Sequence, residues 1–369
     1  MRTSLFISNF NDVRKIISLF FIFIGLTLLY ISSTDKLMKE IIAKRSDLNG
    51  SFGIHHSMAG DLVSMSYLDN VKQFQEKGDY KFVRPTEDTG KKNIDLYIYG
   101  DSYLKEIPDS AFSCVNNYHF CRRSYEDLDY TLDPHKKNIL IIEIAERFAR
   151  VEFELQETMR HFKKKQPAAS SVRLSLLPRI YAGFMDFEIF NHDINRNLEF
   201  NLYGYRFWDQ VKFAKSSLTY YLFKRAVGDA VISDDGNRLF LKETVAETGR
   251  SSIHYSFDQT ELDQLFINLN ATFEYYKKDG FDEVYLSIIP NPVTILQPLN
   301  YNGLIPALQN PVRLKGMFII DMYSLFSLDP NPGGLYRIGD THWSNMGIQV
   351  WLKYVNAELK KQNRQADSK

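Results

Sequence analysis

The 369-residue sequence predicts an α/β fold built on a parallel sheet, preceded by one apolar N-terminal helix. Three observations lead there. Short, almost wholly apolar runs recur at 94–99, 138–142, 284–289 and 317–320, as strands buried on both faces of a parallel sheet do. Helical periodicity stands between such runs, most clearly over 260–278, which supplies the crossovers that parallel strands need. Residues 16–31 are apolar except for Ser18, Gly25 and Thr27.

That apolar run comes first. At 1.5 Å per residue it covers about 24 Å, and with Ser32 and Ser33 it is long enough for a transmembrane anchor over 16–33, behind a short cytoplasmic tail at 1–15. A cleaved signal peptide is the competing reading, but its apolar region is normally shorter and residues 30–34 make a poor cleavage site. Arg2, Arg14 and Lys15 precede the run and Lys36, Lys39, Lys44 and Arg45 follow it, so the charge bias does not decide orientation. Residues 34–92 lack a sustained period and read as a stalk and entry segment. His55-His56 has no carboxylate or cysteine at ligand spacing and reads as a loop.

From residue 93 the α/β pattern begins. Residues 94–99 are the first strand, 118–121 the second and 138–142 the third. Helical periodicity follows over 150–162, with the basic tract 161–165 as a solvated helix end before Pro167. A long insertion, about 167–258, carries a hairpin of residues 230–233 and 238–241 around the Asp235-Gly236 turn signal. Its aromatics, Tyr203, Tyr205, Phe207, Trp208, Tyr220 and Tyr221, read for the most part as core, with stacking on sugar rings as their other use. Helix 260–278 ends at Gly280, and 284–289 and 317–320 complete five strands. The expected order is 2-1-3-4-5, flavodoxin-like, with the site at the switch beside strand one. A last helix runs from Trp343 through Val355, and 359–369 is a polar tail.

Composition narrows the function. Lys+Arg and Asp+Glu both number 45, so no net field recruits nucleic acid. Cys114 and Cys121 enclose six residues; a small-loop disulfide is favoured slightly over two buried thiols.

Two motifs carry chemistry. The first strand runs into Gly100-Asp101-Ser102, and Gly339-Asp340-Thr341-His342-Trp343-Ser344 stands near the other end. A serine hydroxyl needs an imidazole to take its proton and a carboxylate to fix that imidazole's tautomer. Ser102, His342 and Asp340 fill those roles. Each motif alone has a plainer reading: Gly-Asp-Ser as a turn, and Asp340 or Thr341 as the N-cap of the last helix.

In this order the motifs resemble the SGNH (GDSL-type) hydrolases, over roughly residues 93–355. Leu335-Tyr336-Arg337 leading into Asp340-Thr341-His342-Trp343, then Gly347, is similar to the Asp-x-His-Trp signature of SGNH-like proteins that O-acetylate alginate and other bacterial exopolysaccharides. The resemblance implies a three-layer domain over 93–358 and an acyl-serine enzyme, either acetyltransferase or carbohydrate esterase. It also implies a glycan acceptor, an acyl donor, a membrane O-acyltransferase as candidate partner, no cofactor or metal, and a periplasmic position on the bacterial inner membrane. The Gly-x-Asn-Asp block of ordinary SGNH hydrolases has no counterpart: Glu143-Ile144-Ala145-Glu146-Arg147 stands there instead. Arg147 is a candidate oxyanion donor or an ion pair with Glu143. Asn291 is a second donor candidate or a turn residue before Pro292, and Trp343 a substrate-side candidate. The opposing class is a catalytically inactive glycan-binding or assembly subunit.

Overall fold

The computed structural model describes residues 4–34, 37–38, 40–41, 59–75, 92–105, 107–123, 128–156, 159–160, 162–164, 194–203 and 206–367. His55-His56 and most of the expected stalk lie outside them, as does the first part of the insertion. In chain order the principal elements are α1 (Ser4–Ser33), α2 (Asp61–Ser66), β1 (Ile94–Gly100), β2 (Val115–Arg122), β3 (Lys137–Ala145), α3 (Glu146–Glu152), α4 (Ile194–Tyr203), α5 (Arg206–Phe223), α6 (Gln259–Asp279), β4 (Glu283–Ile289), β5 (Phe318–Ile319) and α7 (Asn345–Asp367). The described residues form two compact units, one drawn from within 1–58, 67–70 and 168–223 and the other from within 59–66, 71–167 and 224–369.

The larger unit is α/β. Its five main strands are parallel and ordered β2-β1-β3-β4-β5, the order expected from the sequence. Both faces are buried, which explains the nearly unbroken apolar strands. On one face Leu96, Ile98, Ile139 and Ile141 pack with Ile348, Trp351, Leu352 and Val355 of α7. On the other, Tyr97, Tyr99, Leu140 and Ile142 pack with Leu262, Leu265, Phe266 and Leu269 of α6. The period of two along each strand meets the 3.6 period of a helix on either side.

Local signals set the boundaries. The Asp258 carboxylate accepts from the Glu261 N–H at the start of α6, and Gly280 closes the helix in the left-handed region at φ 112°, where a Cβ is unfavourable. The hairpin Ala230–Ile232 with Leu239–Leu241 is antiparallel, as its turn sequence indicates.

Four expectations are corrected. The helix read over 150–162 is α3, beginning four residues earlier and ending at Glu152, while Phe162–Lys164 is a strand parallel to Leu128–Tyr130. Tertiary contacts override periodicity here, because Arg150 is buried and bonded to Glu261 and to the Tyr255 and Ser256 carbonyls. Residues 359–367, expected as tail, continue α7, with Leu359 in the core and Gln362 Nε2 donating to the Tyr285 hydroxyl at 3.0 Å. Cys114 and Cys121 are not bridged. Cys114 stands just before extended β2 and Cys121 near its far end, about 23 Å apart at 3.3 Å per residue, far beyond disulfide reach. Residues 59–66 and 71–75, assigned above to the stalk, belong to the α/β unit.

In the smaller unit, Val13–Ser33 of α1 has mean hydropathy 2.3 and is long and apolar enough to cross a membrane.

Candidate active site

The site grows from the end of β1. Gly100 is required by its neighbour: a Cβ there would stand 2.7 Å from Glu143 Oε2, and that same oxygen accepts the Asp101 N–H at 3.0 Å. Asp101 then folds the turn. Its carboxylate accepts from the Tyr103 N–H at 2.8 Å and from the Ala145 N–H at 3.0 Å, which ties the end of β1 to the end of β3 and leaves Ser102 at the apex. The middle residue of Gly-Asp-Ser is thus a brace for the serine. Burial and the adjacent Asp101 charge raise the Glu143 carboxyl well above its ordinary range, which disfavours a second negative charge beside Asp101.

The second motif is a loop between the short helical turn Pro332–Leu335 and α7. Tyr336 and Trp343 pair across it as an antiparallel bridge, with Arg337 N donating to His342 O at 3.2 Å and Ser344 N to Leu335 O at 2.8 Å. Ser344 caps α7, its Oγ accepting from Met346 N at 3.1 Å. The N-cap reading of Asp340 or Thr341 is therefore replaced.

These two segments meet. Ser102 Oγ lies 2.7 Å from His342 Nε2, and His342 Nδ1 lies 2.6 Å from Asp340 Oδ1. Asp340 Oδ1 also accepts the His342 backbone N–H at 3.0 Å, and Oδ2 accepts from Arg337 Nη1 at 3.0 Å. One carboxylate thereby fixes the imidazole, its backbone and the loop. The His342 side chain is 23% exposed, enough for a substrate to reach the pair. Burial opposes charge on His342, but the Asp340 hydrogen bond and charge, with Asp61 behind them, raise its pKa above the usual 6.5. Burial opposes ionisation of Asp340 too; the His342 hydrogen bond and charge, with Arg337, nevertheless hold its carboxyl far below the ordinary range.

Three supporting residues were missed by sequence reasoning. Asp61, at the start of α2, accepts the Thr341 N–H at 2.7 Å and the Thr341 hydroxyl, and its Oδ2 is 3.7 Å from His342 Nδ1. Close approach makes this possible: Val63 N donates to Gly339 O at 3.1 Å, and a Cβ on Gly339 would stand 2.5 Å from the Val63 side chain. Tyr103 is buried, donates to the Thr341 carbonyl and packs its ring 4.7 Å from the imidazole. Arg337 holds Asp340. Only the last two had a local signal, as neighbours of the motifs.

The remaining candidates separate. Arg147 is buried at the start of α3, its Nη1 donating to the Tyr103 hydroxyl at 3.3 Å. It pairs with that hydroxyl instead of Glu143, and its charge acts on His342. Asn291 is fully buried; its N–H donates to Glu146 at 2.9 Å, and no described hydrogen bond joins its side chain to Ser102. Trp343 is buried: its Nε1 donates to the Tyr103 carbonyl at 3.1 Å and its ring lies against Trp351.

Asp61, Asp340 and His342 are close enough together to be considered as cation ligands. Their atoms are already engaged, however. The Asp340–His342 contact has hydrogen-bond length, Arg337 occupies the other Asp340 oxygen, and Thr341 takes both oxygens of Asp61. The donor set fits a proton relay better than a metal shell.

No family model matches this chain, and comparison with curated proteins and with solved structures finds no match either.

Proposed function

We propose that this chain is a membrane-anchored, serine-dependent acyl-transfer enzyme of SGNH type, acting on a cell-envelope or exopolysaccharide glycan from the periplasmic face of a bacterial inner membrane. The observation that carries the reading is the continuous relay Ser102–His342–Asp340, with contacts of 2.7 and 2.6 Å. Its position at the carboxyl ends of β1 and β3, beside the switch of a doubly wound sheet, adds support.

In this mechanism Ser102 Oγ attacks the acyl carbonyl as its proton passes to His342 Nε2, and Asp340 stabilises the imidazolium formed. Collapse of the tetrahedral adduct expels the donor alcohol, which takes that proton. The acyl-serine then passes its acyl group to a sugar hydroxyl in a transferase, or to water in an esterase, His342 again moving the proton. The Ser102 N–H, unpaired among the described residues, and the Arg147 guanidinium are the donors this reading assigns to the oxyanion. A glycan acceptor, an acyl donor and a membrane O-acyltransferase partner belong to the same proposal.

The test is a burst experiment with an activated acetyl ester. Wild-type protein releases about one equivalent of alcohol rapidly and carries acetyl on Ser102, while Ser102→Ala does neither and loses on the order of 10⁴-fold in turnover. Added oligosaccharide separates transfer from hydrolysis by the appearance of acetylated sugar. A wild-type protein that is never acylated at Ser102 would refute the enzyme and favour a glycan-binding subunit.

A further inference from the structure

The smaller unit holds a helix with two apolar faces, one buried and the other largely exposed. On α5, Phe213, Ser216 and Tyr220 are buried, with the Phe213 ring 5.6 Å from Tyr67. On the opposite side Trp208, Val211, Leu218 and Leu222 are 37, 46, 60 and 63% exposed. Their spacing, with Lys215 at the seventh position after Trp208, places all five along one stripe of an α-helix. Tyr221 and Phe223 are exposed beside its end. An apolar stripe about 14 residues long is unusual on a surface that meets only water.

The same unit indicates what covers it. Asn197 Nδ2 of α4 donates to the Ser32 carbonyl at 2.8 Å, and Asn201 Nδ2 donates to the Ser32 hydroxyl at 2.9 Å. These bonds tie α4 to the last turn of α1, where the apolar span ends. Two residues separate α4 from α5, and the rings of Tyr203 and Trp208 meet at 5.4 Å. The stripe therefore starts close to the end of the span, at the depth where headgroups lie and where Tyr and Trp are favoured. Residues 206–223 carry three basic residues, Arg206, Lys212 and Lys215, and a single acidic one, Asp209, which complements anionic lipid. We infer that α5 is an interfacial helix, its Trp208–Leu222 stripe set into the surface of the same bilayer that α1 crosses, with basic residues toward anionic headgroups. This rests on α1 spanning the membrane.

The experiment uses full-length protein reconstituted in vesicles of phosphatidylcholine with or without phosphatidylglycerol. Single cysteines at Val211, Leu218 and Gln210, and at Phe21 within the span, are labelled with an environment-sensitive fluorophore. The wild-type protein, whose two cysteines are buried, sets the labelling blank. Quenching by lipids carrying a shallow spin label is expected to be at least about threefold stronger at Val211 and Leu218 than at Gln210, and to deepen with phosphatidylglycerol, while Phe21 is read with lipids labelled deep in the acyl chain. Leu218→Glu with Leu222→Glu should abolish quenching at Val211 while leaving Phe21 quenched. Quenching at Phe21 without excess quenching at Val211 and Leu218 overturns the proposal and leaves the anchor standing. Loss of quenching at all four positions overturns the span and the proposal with it. A blue shift at Leu218 that depends on protein concentration, without lipid quenching, assigns the stripe to a second copy of the chain and also overturns it.

Discussion

Asp340→Asn is the most discriminating change to the proposed relay. The carboxylate accepts three hydrogen bonds: from His342 Nδ1 at 2.6 Å, from the His342 N–H at 3.0 Å and from Arg337 Nη1 at 3.0 Å. An amide has one oxygen for these donors. If that oxygen turns to the permanently charged Arg337, the amide NH₂ faces Nδ1 and forces the proton onto Nε2, which can then no longer accept from Ser102. A loss on the order of 10⁴-fold in kcat follows, about 5.5 kcal/mol at 1.36 kcal/mol per decade. The activity limb reports the same residue. Neutral imidazole is the working base, so turnover rises with pH through a midpoint above 6.5 in the wild type, and this midpoint moves down when the Asp340 charge is removed. Asp61→Asn provides the comparison. Asp61 reaches Nδ1 only at 3.7 Å and spends its hydrogen bonds on Thr341, so losing one charged bond costs about 1.5–3 kcal/mol, roughly 10- to 150-fold. Both variants are assayed by hydrolysis of an activated acetyl ester from pH 5 to 9, with unfolding checked in parallel. An Asp61→Asn defect equal to or larger than that of Asp340→Asn would refute the assignment of Asp340 as the orienting carboxylate.

Other substitutions probe separate parts of the site. Arg147→Ala should lower kcat roughly 10²- to 10³-fold among molecules that remain folded, if the guanidinium stabilises the oxyanion; an effect confined to KM would contradict that role. Gly100→Ala places a methyl 2.7 Å from Glu143 Oε2 and should destabilise the fold by about 1–3 kcal/mol in denaturant titration, whereas an unchanged midpoint would mean the Glu143–Asp101 brace is dispensable. Burial pushes the Glu146 carboxyl up to about 7, against hydrogen bonds from Thr294 and the Asn291 N–H. Its folded-state value is above its unfolded value of 4.5, so the stability it contributes is full below pH 4.5 and declines as pH rises to 7, by about 3 kcal/mol. Glu146→Gln should flatten that part of the stability curve, and a curve unaltered in slope would exclude Glu146 as its source.

How much of this was legible in the sequence depended on whether the cause was local. The strands were read correctly because burial on both sheet faces writes itself as continuous Ile, Leu and Tyr, and α6 because Gly280 marks its end. The Ser102–His342–Asp340 set was legible because short polar motifs stand where apolar strands stop. Helix α3 was misplaced because Arg150, polar in sequence, is an inward-facing residue satisfied by Glu261 and two carbonyls. Asp61 left no trace, since nothing in a six-residue helix far upstream indicates a partner 280 residues away. The two cysteines misled through their spacing, which suits a bridge only if the intervening chain turns; in extended β2 it does not.

If Ser102 and His342 act as proposed, the seating of Gly339 against α2 sets when activity can first arise during synthesis. The serine turn is complete once β3 exists, but the loop that places His342 beside it is anchored to residues 61–63 and is made about 240 residues after Ser102. For about 240 residues of elongation Ser102 has no base beside it. Closing so long a loop is slow, so the proposed relay forms only when residues 61–63 and 339–342 have come together. A nascent or C-terminally shortened chain would thus be chemically silent while already holding most of its sheet, and activity would report completion of the whole unit.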